Sequence, residues 1–133
     1  MLEKPWHKLY DYYVLTTIRY PRVPIQKLFH RAAAIHTDRT AITFYGTELS
    51  FWQLREQVLR LAHALGRLGI RKGDRVGLQL PNCPQFVIAY LATISLGAVV
   101  VNVNPLYTSE ELHHIIATTG MESLFTFDSA LPV

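Results

Sequence analysis

Apolar side chains between Phe51 and Leu68 recur at alternating steps of three and four: Phe51, Leu54, Val58, Leu61, Leu65 and Leu68. That spacing places them on one face of a helix. Ser50 and Gln53 stand at the positions of a capping box, with Leu49 and Leu54 as its hydrophobic staple. Gly69 is placed to give a left-handed C-terminal cap. The period then changes. Val76-Gly77-Leu78-Gln79-Leu80 predicts a short strand ended by Pro81. Asn82 and Gln85 predict the cap of a helix running to about Leu96, with Pro84 in its first turn and Gly97 closing it. This helix is apolar nearly all round, which predicts burial on more than one face. Ala98 to Val103 is β-branched without alternation, the pattern of a central parallel strand covered on both faces. Asn104-Pro105 breaks it. Thr108 and Glu111 form a second capping box, stapled by Tyr107 and Leu112; Leu112, Ile115 and Ile116 are expected to face inward. Gly120 ends that helix, and Ser123 to Phe127 reads as the final strand.

Upstream, a helix opens near Pro24 with Ile25, Leu28, Phe29 and Ala32 as its buried stripe. Ala41 to Tyr45 reads as a strand and Gly46-Thr47 as a turn. The expected fold is therefore α/β. A helix, a short strand or hairpin and a long amphipathic helix precede a three-layer β-α-β-α-β unit, for which parallel pairing and right-handed crossovers are preferred. This unit occupies residues 24–133. Residues 1–23 form a separate aromatic arm, with Trp6, Tyr10, Tyr12, Tyr13 and Tyr20 among Lys8, Arg19 and Arg22. Such side chains suit protein or lipid interfaces; packing of the arm on its own domain is the favoured expectation.

Composition adds two constraints. Half of the 133 residues are apolar and only 17% are charged, a bias expected of a piece whose apolar surface is covered by neighbours. A compact hydrophobic small domain fits the same figures. The net charge is +3, and the basic cluster Arg67, Arg71, Lys72 and Arg75 is interrupted by Asp74. It lacks the long basic face or stacking aromatics of a nucleic-acid site, so no nucleic-acid partner is expected. The single cysteine, Cys83, has no internal partner, and no motif places a base beside it. A reducing cytoplasm is the natural setting. Glu3 and Asp11 disfavour a secretory signal. The longest apolar run, around Phe86 to Ala92, is too short to cross a bilayer. The expectation is a cytoplasmic chain, with peripheral contact at the inner face of the membrane left open.

No residue recommends itself as catalytic, cofactor-binding or metal-ligating. Gly66, Gly69, Gly73 and Gly77 close a helix and lead into a strand, whereas a phosphate loop opens a helix with Gly-Lys-Ser/Thr. His113 and His114 are adjacent on a helix and diverge by about 100°. His7, His30, His36 and His63 show no zinc spacing. Glu110 and Glu111 sit in a first helical turn, where the dipole stabilises them.

Several motifs nevertheless occur in a telling order. Leu49-Ser50-Phe51-Trp52-Gln53-Leu54 is similar to an early Leu-Thr/Ser-Tyr-x-Glu-Leu motif. Gly69-Ile70-Arg71-Lys72-Gly73-Asp74-Arg75-Val76 and Leu80-Pro81-Asn82-Cys83-Pro84-Gln85-Phe86 follow. Ser95-Leu96-Gly97-Ala98-Val99-Val100 is similar to Lys-Ala-Gly-x-x-x-x-Pro, with Ser95-Leu96 in place of Lys-Ala. Asn104-Pro105-Leu106-Tyr107-Thr108 closes the series. From about Pro24 to Asp128 the chain resembles the opening of the adenylate-forming, AMP-binding enzymes, the acyl-CoA synthetase and luciferase-like superfamily. Its wording is most similar to long-chain fatty acid–CoA ligases. The resemblance implies a parent enzyme that uses ATP, magnesium and CoA, takes a fatty acid, and makes an acyl-adenylate and then a thioester. The family's Thr-Ser-Gly-Thr-Thr-Gly-x-Pro-Lys-Gly run has no counterpart here, so this segment alone is expected to be inactive and to hold no cofactor. Its expected partners are the remainder of the parent and a second copy. A stand-alone interaction module and a small nucleotide-binding α/β domain are the alternatives.

Overall fold

A computed structural model describes residues 4–127. The first three residues of the expected arm, and residues 128–133 of the expected domain, lie outside the described part. After a 3-10 turn at Pro5–Leu9 come α1 (Ile25–Ile35), β1 (Thr40–Phe44), β2 (Thr47–Ser50), α2 (Phe51–Arg67), β3 (Arg75–Leu78), α3 (Pro84–Ser95), β4 (Val99–Asn102), α4 (Ser109–Thr119) and β5 (Ser123–Phe125).

Strands β1 and β2 form an antiparallel hairpin. Its two-residue loop is Tyr45-Gly46, both at positive φ (46° and 78°), the backbone of a type I′ turn whose twist matches the flanking strands. The turn thus sits one residue earlier than the expected Gly46-Thr47. The hairpin delivers the chain directly into α2. There Gln53 N donates to Ser50 Oγ (3.2 Å), and Ser50 N donates back to Gln53 Oε1 (2.8 Å). Phe51 N and Trp52 N donate to the carbonyls of Arg39 and Thr37. The first three N–H groups of α2, which have no partner within a helix, are thereby satisfied. At the other end, Gly69 N donates to Gly66 O and Ile70 N to Leu65 O. With Gly69 at φ 98°, this is the Schellman motif. Gly97 closes α3 in the same way, with Ala98 N donating to Thr93 O and Gly97 N to Ile94 O.

Helix α3 is the centre of the packing. Ile88, Leu91 and Ala92 meet Leu54, Val58, Ala62 and Leu65 of α2, while Ala89 meets Val76 and Leu78 of β3. A helix held between another helix and a sheet needs apolar residues all round, and from Phe86 to Leu96 no residue is exposed. Its start differs from expectation. The N-cap is Cys83, with no side-chain cap bond, and Asn82 and Gln85 form no capping box. Pro84 sits at the first position, where its missing N–H removes one of the donors that a cap would satisfy.

The parallel sheet has the order β4-β3-β5. Val76 pairs with Val100 on one side and Ser123 on the other; Leu78 pairs with Asn102 and Phe125. The central strand is therefore β3, and the expectation that residues 98–103 lie centrally is corrected: β4 borders the described sheet, with Val99 half exposed. Its β-branched run reports apolar surroundings above and below, not which strand has two hydrogen-bonded neighbours. The two crossovers run in opposite directions from β3 to β4 and from β4 to β5. With right-handed connections they put α3 and α4 on opposite faces, which makes the third layer.

Other expected core positions fall outside it. Ile25 and Leu28 of α1 are exposed, and Ala33 is the buried residue. Leu68, beyond the last turn of α2, is 80% exposed, and Ile116 of α4 also faces out. The arm does not pack on the domain as expected: no residue from 4 to 23 is buried.

Candidate functional site

The strand ends define the most distinctive feature of the surface. Pro81 stops β3, because it cannot donate to a ladder. Before it, Gln79 N donates to Phe125 O (2.8 Å), and Val103 N donates to Leu78 O (3.0 Å). The Gln79 side chain is only 5% exposed, and its Oε1 accepts from Thr126 Oγ1 (3.2 Å). A buried amide oxygen without a partner costs about 1–3 kcal/mol, so this bond fastens the carboxyl ends of β3 and β5 together. Next to it opens a groove of about 730 Å³. Leu61 of α2, Leu80 and Pro81, Ile88 of α3, and Phe125 and Phe127 give it an apolar lining. Open parallel sheets place ligands at the carboxyl ends of their strands, and the groove lies there.

Its chemistry is limited. Among the described residues that line it, Arg60 is the one Lys, Arg, Asp or Glu, and it lies 4.0 Å from Glu56 on the same helix. Cys83 lines it as a half-buried free thiol. Such a wall can hold an apolar group; it offers no nucleophile and base in contact. Among the described residues no group of three His, Cys, Asp or Glu could hold a metal ion.

Helix N-termini are the usual cradle for phosphate; those of α2, α3 and α4 are partly filled by the chain itself, whereas α1 starts after Pro24 with no side-chain cap bond. The leading N–H groups of α2 are bonded within the protein, and α3 begins with Pro84. In α4, Glu111 Oε2 accepts from Thr108 N (2.8 Å) and Thr108 Oγ1 (2.9 Å), while Glu111 N donates to Thr108 Oγ1 (3.3 Å). These bonds, the backbone one first, hold the Glu111 carboxyl below the usual glutamate range. A carboxylate kept ionised at the helix start repels a second anion. The glycine series is dispersed likewise: Gly66 lies in the last turn of α2, Gly69 caps it, Gly73 turns into β3, and Gly77 is inside β3. His113 and His114 are both exposed on α4. The pair that sequence reasoning missed is Gln79 and Thr126. A lone amide within an otherwise apolar strand was its signal.

An α/β lobe whose three-stranded parallel sheet ends at an apolar groove is an open parallel-sheet α/β fold. Comparison with known proteins agrees. The AMP-binding enzyme family matches residues 29–132, and the chain belongs to that family. It is 38% identical to a long-chain-fatty-acid–CoA ligase of Bacillus subtilis over 98% of this chain. It is also 38% identical to one of Yersinia pestis over 90% of this chain. It spans 23% and 22% of the lengths of those two ligases. Among solved structures, it is similar to an artificially fused adenylation–PCP di-domain, NpsA-ThdA from Klebsiella oxytoca. That match has a TM-score of 0.77 at 25% identity, and covers 82% of this chain and 21% of the other. The N-terminal subdomain of NpsA matches with a TM-score of 0.76 at 26% identity, covering 82% and 29%. The fold is that of the N-terminal domain of adenylate-forming enzymes.

Proposed function

We propose that this chain is the N-terminal segment of an ATP-dependent long-chain fatty acid–CoA ligase. The whole enzyme joins a fatty carboxylate to the AMP moiety of ATP with loss of pyrophosphate. It then exchanges AMP for the thiol of CoA. The observation that carries this reading is the 38% identity to a ligase of that specificity, sustained over nearly the whole chain. The segment's own part is structural: β3 and α3 form a rigid wall, and the groove at the strand ends receives the next apolar portion of the domain. Neither half-reaction is assigned to residues of this chain, because a Gly-Lys-Ser/Thr phosphate loop does not occur in its sequence.

Two measurements test the reading. The purified chain is expected to show no pyrophosphate exchange and no acyl-adenylate formation above background; either activity would overturn the structural role. The coding sequence beyond Val133 is expected to contain a Ser/Thr/Gly-rich phosphate loop, and the polypeptide that includes it should thioesterify long-chain carboxylates in preference to short or aromatic ones. A preference for the latter would refute the long-chain assignment while leaving the family intact.

A further inference from the structure

We infer that the N-terminal arm is a contact site for an anionic lipid surface. Its exposure is the first reason. Tyr12 is fully exposed, and Leu15, Tyr20 and Ile18 are 80%, 76% and 66% exposed. Large apolar side chains scattered singly over a surface are ordinary, but a continuous run of them marks an interaction site.

Charge selects the partner. Residues 1–23 carry Lys4, Lys8, Arg19 and Arg22 against two carboxylates, Glu3 and Asp11; Asp11 accepts a hydrogen bond from Tyr13 Oη (2.9 Å). Among the described residues, none of the four cations takes part in a salt bridge. Trp and Tyr rings settle at the headgroup level of a bilayer, with the apolar body inward and the polar tip in water. Lys and Arg beside them reach the phosphates of anionic lipids. A protein–protein interface instead has a core depleted in charge, and two copies of this basic, extended arm would repel. Interleaved cations and aromatic rings on a segment without a packed face fit a lipid interface better than a second copy. This inference does not depend on the ligase reading.

Vesicle flotation of the full chain tests it, using phosphatidylcholine alone and phosphatidylcholine mixed with phosphatidylglycerol. A Trp52→Phe background leaves Trp6 as the fluorescent reporter. The chain should float with anionic vesicles, and Trp6 emission should shift to the blue. Binding should weaken about tenfold or more when salt shortens the screening length from about 10 Å to about 3 Å. The combined Lys8→Glu, Arg19→Glu and Arg22→Glu variant should not float, and Trp6→Ala with Tyr20→Ala should bind less. All these side chains are exposed, so the circular dichroism of the variants should match the parent and exclude misfolding. No flotation with anionic vesicles would overturn the inference, as would equal binding to neutral vesicles that charge reversal leaves unchanged. Arm-dependent dimers that ignore both vesicle types would assign the arm to a protein partner instead.

Discussion

Met121 stands where a side chain at position 77 would be. A Cβ on Gly77 would lie 2.5 Å from Met121 Sδ and 2.6 Å from Leu124 Cδ1, so the central strand can approach the turn after α4 only because residue 77 has no side chain. Val76 and Leu78 point to the opposite face and are fully buried under α3. Gly77→Ala should therefore destabilise the chain by about 1–3 kcal/mol, the usual cost of overpacking. The obstructing atoms belong to side chains, so Met121→Ala should recover part of the loss when combined with it. Urea unfolding of the four chains of the cycle measures the coupling; strict additivity would refute the contact.

Leu68 and Leu78 look equally apolar in the sequence but should respond very differently. Leu78 is fully buried and Leu68 is 80% exposed. Leu78→Ala should cost about 2–5 kcal/mol, a large share of the roughly 5–15 kcal/mol typical of a domain. Leu68→Ala should stay within about 0.5 kcal/mol. Comparable losses in thermal or urea unfolding would contradict the C-terminal boundary of α2.

Glu111 makes the start of α4 sensitive to acid. Its carboxylate accepts from Thr108 N and Thr108 Oγ1, which lowers its folded pKa below the ordinary value of about 4.3. The contribution is fully present above that unfolded value and disappears as pH falls through the lower folded one. Glu111→Gln keeps an acceptor, as Gln53 does in α2, and removes the titration. The stability difference between parent and variant should shrink on acidification and vanish at the acid end. A difference independent of pH would remove the carboxylate from the cap.

Both outer strands of the described sheet have a free side, since β4 and β5 each pair only with β3. Unpaired edges offer N–H and C=O groups to another chain, and the apolar groove beside β5 adds surface worth about 25 cal/mol per Å² when covered. The purified chain is expected to form dimers or larger assemblies, with light scattering giving the mass. A stable, cooperatively folding monomer at high concentration would reject this and favour a self-sufficient module.

Both capping boxes were legible because each needs only four consecutive residues: Ser50 with Gln53, and Thr108 with Glu111. Gly69 and Gly97 were legible for the same reason, since a left-handed closing residue is a local backbone requirement. The absence of a Gly-Lys-Ser/Thr helix start and the family motifs also belong to the linear chain. Asn82 and Gln85 misled because Pro84 changes what the start of α3 needs from a cap. Gln79 and Thr126 could not be matched, because 47 positions separate them.

The linear sequence by itself determined the helices, the strands and the order in which they alternate, because capping, turn chemistry and apolar period act over a few residues. Only the tertiary structure decided that β3 lies between β4 and β5, that Met121 fills the space over Gly77, and that an apolar groove opens where Gln79 meets Thr126. It also left the aromatic arm exposed. Those outcomes depend on which surfaces meet across the fold, and an apolar pattern states that a face seeks cover without naming the neighbour that supplies it.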